Sequence, residues 1–135
     1  MIDRAAFVDA VRQCLGTPVV HLGRTPGKAL DCVGLPWAAC NMIGLNLPPT
    51  PIYDALPSAD DMASGLSIYC DEVQDGGHLW QVFVGSQARH IVIPSGFNEC
   101  GQSLVIHAWG DGRRKVCQTV YGRPVARRWS IRGVA

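Results

Sequence analysis

Hydrophobic residues in the first half of the chain recur at helical spacing. One apolar stripe is made by Phe7, Val8, Val11 and Leu15, which predicts a helix from an Asp3 cap to about Leu15. A second segment, 32–43, is apolar nearly all round, so it predicts a buried helix that opens at Asp31. A capping-box pattern predicts a third, short helix over 58–66.

The second half changes to short apolar runs after the turn Asp75-Gly76-Gly77. Glycine- and proline-rich turns separate the runs, among them Gly110-Asp111-Gly112. The predicted strands are 79–84, 89–93, 103–108, 115–121 and 127–132. Short turns between successive strands favour antiparallel pairing. The pattern therefore predicts one α+β domain over 1–135, with N-terminal helices packed on a C-terminal antiparallel sheet of about five strands.

Composition excludes several classes of protein. The chain has 135 residues, 47% of them hydrophobic and 17% charged, which favours one folded domain over a disordered chain. A formal charge of +1 argues against a nucleic-acid partner. Basic residues do concentrate near the C-terminus, at Arg113, Arg114, Lys115, Arg123, Arg127, Arg128 and Arg132. They form either a solvated face or a surface that meets an anionic polymer.

Neither a signal peptide nor a metal site is indicated. The N-terminus lacks an apolar core segment, and no stretch approaches the roughly 20 apolar residues of a membrane helix, so we expect synthesis in the cytoplasm and no membrane insertion. Six cysteines lack clustered spacing, which favours free thiols, five of them small buried hydrophobes. Without Cys-x-x-Cys or His-x-x-x-His, no metal or other cofactor is expected.

The sixth cysteine, Cys32, lies at the start of the buried helix. Backbone N–H groups and the helix dipole at that position favour a thiolate, which is the nucleophilic form. Asp31 would cap the turn, and Gly34 would leave room around the sulfur. Pro36 should distort the first turn because it removes a backbone donor. The alternative is a buried structural cysteine.

Two histidines on consecutive predicted strands supply a candidate base. His90 and His107 each alternate with apolar neighbours. If their strands are adjacent, the rings can lie side by side beneath the start of the buried helix, and His107 can hold the far nitrogen of His90. The alternative is that both are core histidines with satisfied hydrogen bonds. His78 should be exposed in a turn, and His21 could line the cleft.

At these residues the chain resembles the NlpC-type cell-wall cysteine peptidases, a papain-like family, and its phage and gene-transfer-agent tail members in particular. The resemblance runs from about residue 4 to 107 and is carried by segments 15–18, 21–27 and 30–35. It implies that Cys32 is the nucleophile, that His90 opens the strand of the base, and that His107 is the third polar residue. Val19 stands where members usually carry a tyrosine whose hydroxyl lies near the cysteine.

The resemblance also implies a substrate. Members hydrolyse an amide in the peptide stems of peptidoglycan, usually between D-glutamate and a diamino acid. Such carboxylate-rich substrates would give Arg24 a binding task, with Asp31 and His21 beside it and Trp109 as a wall of the groove. The expected partners are stem peptides and tail hub or baseplate proteins, and the expected place is a particle tail that acts on the periplasm or cell wall.

Two other functions stay open. The domain could be a tail-tip assembly or plug protein with weak or no catalysis, which Val19 and Pro36 motivate. It could also keep the cysteine chemistry on a different substrate, as an amidase or acyltransferase acting on a lipid or a small amide.

Overall fold

A computed structural model describes residues 1–110 and 114–135 of the chain. Within these residues the helices are α1 (Arg4–Gln13), α2 (Gly34–Met42) and α3 (Ala59–Leu66). A hairpin of β1 (Arg24–Thr25) and β2 (Ala29–Leu30) precedes α2. The remaining strands are β3 (Cys70–Val73), β4 (Leu79–Val84), β5 (Gln87–Phe97), β6 (Ser103–His107), β7 (Cys117–Val120) and β8 (Val125–Ile131). The predicted α+β class is confirmed.

One antiparallel sheet in the order β3-β8-β4-β5-β6-β7 forms the C-terminal half. It has six strands rather than the expected five or so because β3, at the edge, was not predicted. The sequence of β3, Cys-Asp-Glu-Val, has two adjacent acidic residues and so lacks the alternation of apolar and polar residues that predicts a strand. The segment is a strand because it pairs with β8. The bounds of β4 match the prediction, whereas β5 is longer than predicted, β6 and β7 are shorter, and β8 starts two residues earlier. The predicted turn at 110–112 lies mostly outside the described residues.

The first and third helices follow their patterns. Phe7 and Val11 of α1 are fully buried, but the helix ends at Gln13 and leaves Leu15 partly exposed, two residues short of the prediction. At the start of α3 the Ser58 hydroxyl accepts the backbone N–H of Asp61 at 3.1 Å, which confirms the predicted cap.

The buried helix α2 starts at Gly34, two residues later than predicted. Pro36 has no N–H to donate to the carbonyl of Cys32, so the regular helical ladder cannot include that residue. Pro36 consequently lies in the first turn, where backbone N–H groups have no helical partner anyway and proline is tolerated. The expected irregularity takes the form of this late start, and Cys32 lies in the turn that precedes the helix.

The core lies between the helices and one face of the sheet. Ile91 and Ile93 of β5 and Ile106 of β6 pack there against α1 and α2 residues. Val92 belongs to a smaller cluster with Val82 and Val105 on the opposite face. Because side chains alternate along a strand, the His90 ring is on the same side of β5 as Val92, and its expected place beneath the start of α2 stays a prediction.

Candidate active site

The turn that carries Cys32 is built around the side chain of Asp31. The N–H groups of Val33 and Gly34 donate to Asp31 Oδ1 at 3.2 and 2.7 Å. The N–H of Leu35 donates to the Asp31 carbonyl at 2.9 Å. The carboxylate therefore takes up the donors that a regular first helical turn would leave free.

Gly34 is required in this turn by a close backbone approach. A Cβ at this position would lie 2.0 Å from the carbonyl oxygen of Gly23 and 2.8 Å from Nη1 of Arg24. The space that the sequence analysis assigned to the sulfur is thus occupied by Gly23 and Arg24, so the start of the β1–β2 hairpin packs directly on the turn that carries Cys32.

Asp31 is only 7% exposed and has partners on its outer side as well. Arg24 Nη1 also donates to Asp31 Oδ1 at 3.0 Å. Asp31 Oδ2 accepts two hydrogen bonds, one from the N–H of Leu22 at 2.8 Å and a close one from the Tyr53 hydroxyl. Leu22 has a φ of +64°, a left-handed conformation that costs roughly 1–2 kcal/mol in a non-glycine residue. The bond to Asp31 helps to hold it there.

Arg24 is largely used inside the protein. Besides Asp31, it donates to the Gly23 carbonyl at 2.7 Å, the Thr50 hydroxyl at 2.7 Å and the Tyr53 hydroxyl at 2.9 Å. The ion pair between Arg24 and Asp31 therefore stabilises the turn that carries Cys32. The hydrogen bonds from Arg24 to Thr50 and Tyr53 connect the loop of residues 50–53 to the same turn. A substrate-binding role for Arg24 and Asp31 stays a prediction. Their hydrogen bonds show that both side chains hold the turn around Cys32 in position.

The Cys32 thiol lies near β5. The backbone N–H groups of Ile91 and of Cys32 itself are close enough to lower the pKa of the thiol. Burial raises the pKa of the Cys32 thiol to about 12, and the negative charge of Asp31 is the second cause. These N–H groups and Arg24 lower the pKa by smaller amounts. The expectation of a thiolate stabilised by the helix start is wrong, because burial and the charge of Asp31 outweigh the nearby N–H groups. The Cys32 side chain at rest is a neutral thiol.

His90 and His107 form the hydrogen-bonded pair that the sequence predicted. His90 Nε2 lies 2.9 Å from His107 Nδ1, and the Thr119 hydroxyl lies 3.1 Å from His107 Nε2. Two proton arrangements satisfy this chain. In one, His90 donates to His107 and His107 to Thr119, which leaves His90 Nδ1 unprotonated and able to act as a base. Catalysis by the pair stays a prediction.

Burial keeps both imidazoles neutral. It lowers the pKa of His90 to about 3, with a further contribution from His107, and it lowers the pKa of His107 as well. Trp109 packs on His90 with ring centroids 4.9 Å apart and keeps one side partly exposed, where it can wall a groove. Within the described residues no hydrogen bond joins Cys32 to His90, although the amide of the next residue, Ile91, is near enough to lower the pKa of the thiol.

The other two histidines take different places. His21 is partly exposed, lies 3.9 Å from Asp31 Oδ2 and meets the Tyr53 ring edge-on at 5.5 Å, so it borders the candidate site. His78 was expected to be exposed and is only 4% exposed. Its ring bonds the carbonyl of Ala135 and accepts the N–H of Ile131, both at 2.9 Å, so it anchors the C-terminal end of the chain.

Tyr53 and Thr119 belong to the site and were missed from the sequence. Tyr53 follows a proline-rich stretch without periodicity, and Thr119 lies on the exposed strand β7. Only the partners that these hydroxyls find across the fold, Asp31 and His107, identify them.

The remaining predicted features have mixed outcomes. All six cysteines are free, but two of the five expected to be buried, Cys100 and Cys117, are exposed.

The C-terminal basic residues have different partners. Arg132 pairs with Asp71, and Arg127 lies 3.8 Å from Asp60. Arg128 stacks on Trp80, whereas Arg113 lies outside the described residues. In the part of the chain that the structure describes, no His, Cys, Asp or Glu cluster could hold a metal ion, and no helix could span a membrane.

Comparison with known proteins gives no relative. No protein-family model matches the sequence, no curated protein matches it, and no solved structure matches the fold. The resemblance to the NlpC-type peptidases therefore stays a prediction from the sequence.

Proposed function

We propose that this protein is a papain-like, NlpC-type cysteine endopeptidase that hydrolyses an amide bond in peptidoglycan stem peptides, with the bond between D-glutamate and a diamino acid as the expected target. The observation that carries the proposal is the placement of Cys32 beside the strand of His90, with His90, His107 and Thr119 joined in one hydrogen-bonded chain. A nucleophile, a base and a group that orients the base are the parts that such chemistry needs.

The proposed reaction starts from neutral groups. His90 Nδ1 takes the thiol proton while Cys32 Sγ bonds to the carbonyl carbon and the carbonyl π electrons move to oxygen. When the intermediate collapses, the C–N bond breaks and His90 gives its proton to the leaving amine. Water then attacks the thioester and passes a proton to His90, the C–S bond breaks, and the sulfur regains that proton as the carboxylic acid departs.

The N–H of Cys32 itself is the proposed oxyanion donor. The N–H groups of Val33, Gly34 and Leu35 are bonded to Asp31, so they are not free to meet a developing oxyanion. A preorganised N–H aimed at the reacting centre is the kind of donor that stabilises such a charge.

Digestion of purified sacculi tests the proposal. The wild-type protein should release fragments whose masses identify the cleaved bond, and Cys32→Ala should release none. Cys100→Ala is the matched control, since it removes an exposed cysteine in the turn between β5 and β6 and should keep full activity. Intact stems after treatment with the wild-type protein, under conditions in which a known wall peptidase cuts, would contradict the proposal.

The proposed setting is a phage or phage-like tail that carries the domain to the cell wall after synthesis in a bacterial cytoplasm. The inferred partners are tail hub or baseplate proteins. Purified particles should contain the chain, and its absence from them would contradict this setting.

A second candidate function is tail-tip assembly without catalysis. The raised pKa of Cys32 favours it, since the sulfur at rest is a neutral thiol, and so does the lack of a hydrogen bond between Cys32 and His90. Slow alkylation of Cys32 is expected under both functions. Assembly and infectivity separate them, because particles with Cys32→Ala should infect normally if the domain is only a plug.

A further inference from the structure

An open groove of about 490 Å³ lies between α1 and the C-terminal end of β5. Arg4, Val8 and Arg12 follow one another at four-residue spacing along α1 and form one wall. The strand side is formed mainly by residues 94–97 of β5, together with Trp80 of β4. Cationic, aromatic and aliphatic side chains therefore line the same groove.

The groove is separate from the candidate active site. None of the residues that line it belongs to the turn of Cys32 or to the histidine pair. Ser95, which lines it, is five residues along β5 from His90, a distance of about 17 Å in extended strand. A ligand in the groove would therefore not occupy the space at Cys32.

Two arginines of α1 are held in the groove by backbone carbonyls. Arg12 Nη2 donates to the carbonyl of Ser95 at 2.7 Å, and Arg4 Nη2 donates to the carbonyl of Gly77 at 2.8 Å. A carbonyl is neutral, so it orients a guanidinium without cancelling its charge. Asp9, the one acid among the described residues that line the groove, lies 3.4 Å from Arg12 Nη1. That ion pair is weak, because both side chains are largely exposed.

Arg128 adds a third positive charge beside the groove. Its guanidinium lies 4.8 Å from the centroid of the Trp80 ring and donates to the carbonyl of Gly76 at 3.3 Å. Among the described residues neither Arg128 nor Arg4 forms an ion pair, in contrast to Arg24 of the candidate site. The groove therefore has an excess of positive charge, which favours an anionic ligand.

Apolar surface lies next to these charges. Phe97 is 72% exposed at the groove, and Val8 forms a nearly buried part of the α1 wall. Arginine is the side chain best suited to hold a carboxylate, because its N–H groups form a fork that matches the two oxygens. The lining thus suits a short chain that combines carboxylates with aliphatic carbon.

We propose that this groove is a second binding site for the peptide stems of peptidoglycan, in which the arginines hold stem carboxylates and Phe97 and Val8 contact the aliphatic chain of the diamino acid. The proposal rests on the proposed function, since it takes the wall polymer as the substrate. The polymer carries many stems, so a stem held in the groove raises the effective concentration of neighbouring stems at Cys32.

The composition of the groove favours a stem over the surface of a tail protein. Stable protein–protein interfaces bury roughly 1,200–2,000 Å² and keep charged residues away from their centre. Here the guanidinium groups line the groove itself, and Phe97 is the one exposed large hydrophobic residue among those described in its lining. An acidic segment of a tail protein is therefore the alternative that the experiment must separate.

Sedimentation with purified sacculi measures the site in the full-length Cys32→Ala protein, which should bind the wall without cutting it. In that background Arg12→Gln and Arg128→Gln should each weaken binding about three- to tenfold, because each removes a charge-assisted contact to a carboxylate. Arg127→Gln is the matched control. It changes the neighbouring arginine of β8, whose side chain lies on the other face of the sheet and 3.8 Å from Asp60, so it should bind as its parent does.

A pair of phenylalanines tests the apolar contact in the same way. Phe97→Ala should weaken sacculus binding about threefold, because it removes exposed apolar surface from the groove. Phe83→Ala removes a half-exposed phenylalanine of β4 that does not line the groove, so it should leave binding unchanged. Urea unfolding of each variant checks that the fold is intact.

Free stem peptides identify the chemical group that the groove recognises. They would be titrated into the Cys32→Ala protein while the indole N–H signal of Trp80 is followed by NMR. The signal should shift to saturation with the free acid, and Arg128→Gln should weaken that binding. A stem whose carboxylates are converted to amides should bind at least tenfold more weakly, because the arginines lose their charged partners.

Equal binding of sacculi by Arg12→Gln, Arg128→Gln and Arg127→Gln, or equal binding of amidated stems at Trp80, would overturn the proposal. Normal sacculus binding by the first two variants, together with their loss from purified particles, would also overturn it and assign the groove to a tail protein. Groove-dependent binding without any cutting by the wild-type protein would remove the peptidase function and leave this site standing. Cutting by the wild type, with binding that no groove variant changes, would do the reverse.

Discussion

Acid should destabilise this protein through His90. The side chain is 5% exposed and its pKa is about 3 in the folded state, against about 6.5 for an unperturbed histidine. Between these two values the unfolded chain binds a proton that the folded chain rejects. The free energy of unfolding therefore falls as the pH falls below about 6.5. Above that pH His90 is neutral in both states, so it does not reduce the stability.

The size of the effect follows from the two pKa values. Between pH 8 and pH 5, His90 alone should lower the free energy of unfolding by about 2 kcal/mol, and full protonation corresponds to about 5 kcal/mol. The lowered pKa values of His107 and His78 act in the same direction. Total stabilities are roughly 5–15 kcal/mol, so the loss is a large share of the whole.

Urea unfolding of the wild type and of His90→Gln at pH 8 and pH 5 measures this effect. The difference between the proteins at pH 8 reports the changed packing and the changed hydrogen bond to His107 without any charge effect, because His90 is neutral there in both states. From pH 8 to pH 5 the variant should lose about 2 kcal/mol less than the wild type does. Equal losses, or an NMR titration of the His90 ring with a midpoint near 6.5, would refute the assigned burial of His90.

Four further expectations concern single groups of the site. Gly34→Ala pushes a methyl into a backbone carbonyl, so it should cost about 1–3 kcal/mol or more in urea unfolding. Tyr53→Phe removes a hydrogen bond to a buried carboxylate and should cost about 1.5–3 kcal/mol in the same assay. Thr119→Val leaves His107 Nε2 without its partner, and kcat should drop by up to about tenfold with little change in stability. Iodoacetamide at pH 7 should label the two exposed cysteines before Cys32, as read by peptide mass, because the raised pKa keeps Cys32 protonated.

The parts of the fold that local sequence determines were predictable. The alternation of β4 placed both its ends correctly, and the serine cap of α3 was found from a four-residue spacing. The pairing of His90 with His107 followed from two adjacent strands with a histidine on the same face of each. In each case the information lies within a few residues or in the simplest antiparallel order.

The parts that depend on distant contacts were not predictable. His78 follows two glycines, which is typical of an exposed turn, yet the C-terminal end of the chain covers it. Tyr53 reaches Asp31 across 22 positions of sequence from a loop that has no periodicity. The ionisation state of Cys32 was inferred wrongly for the same reason, since it depends on how deeply the folded chain buries the thiol and on the charge of Asp31 beside it.

Asp31 serves two opposed purposes in this site. Its carboxylate fixes the turn that presents Cys32, because it binds the N–H groups of Val33 and Gly34. The same charge, next to burial, raises the pKa of the thiol. A turn held in this way does not supply a preformed thiolate. For the proposed peptidase reaction, this predicts that the proton passes from Cys32 to His90 while the sulfur attacks the substrate, so a substrate that fails to bring the two side chains together should not be cut.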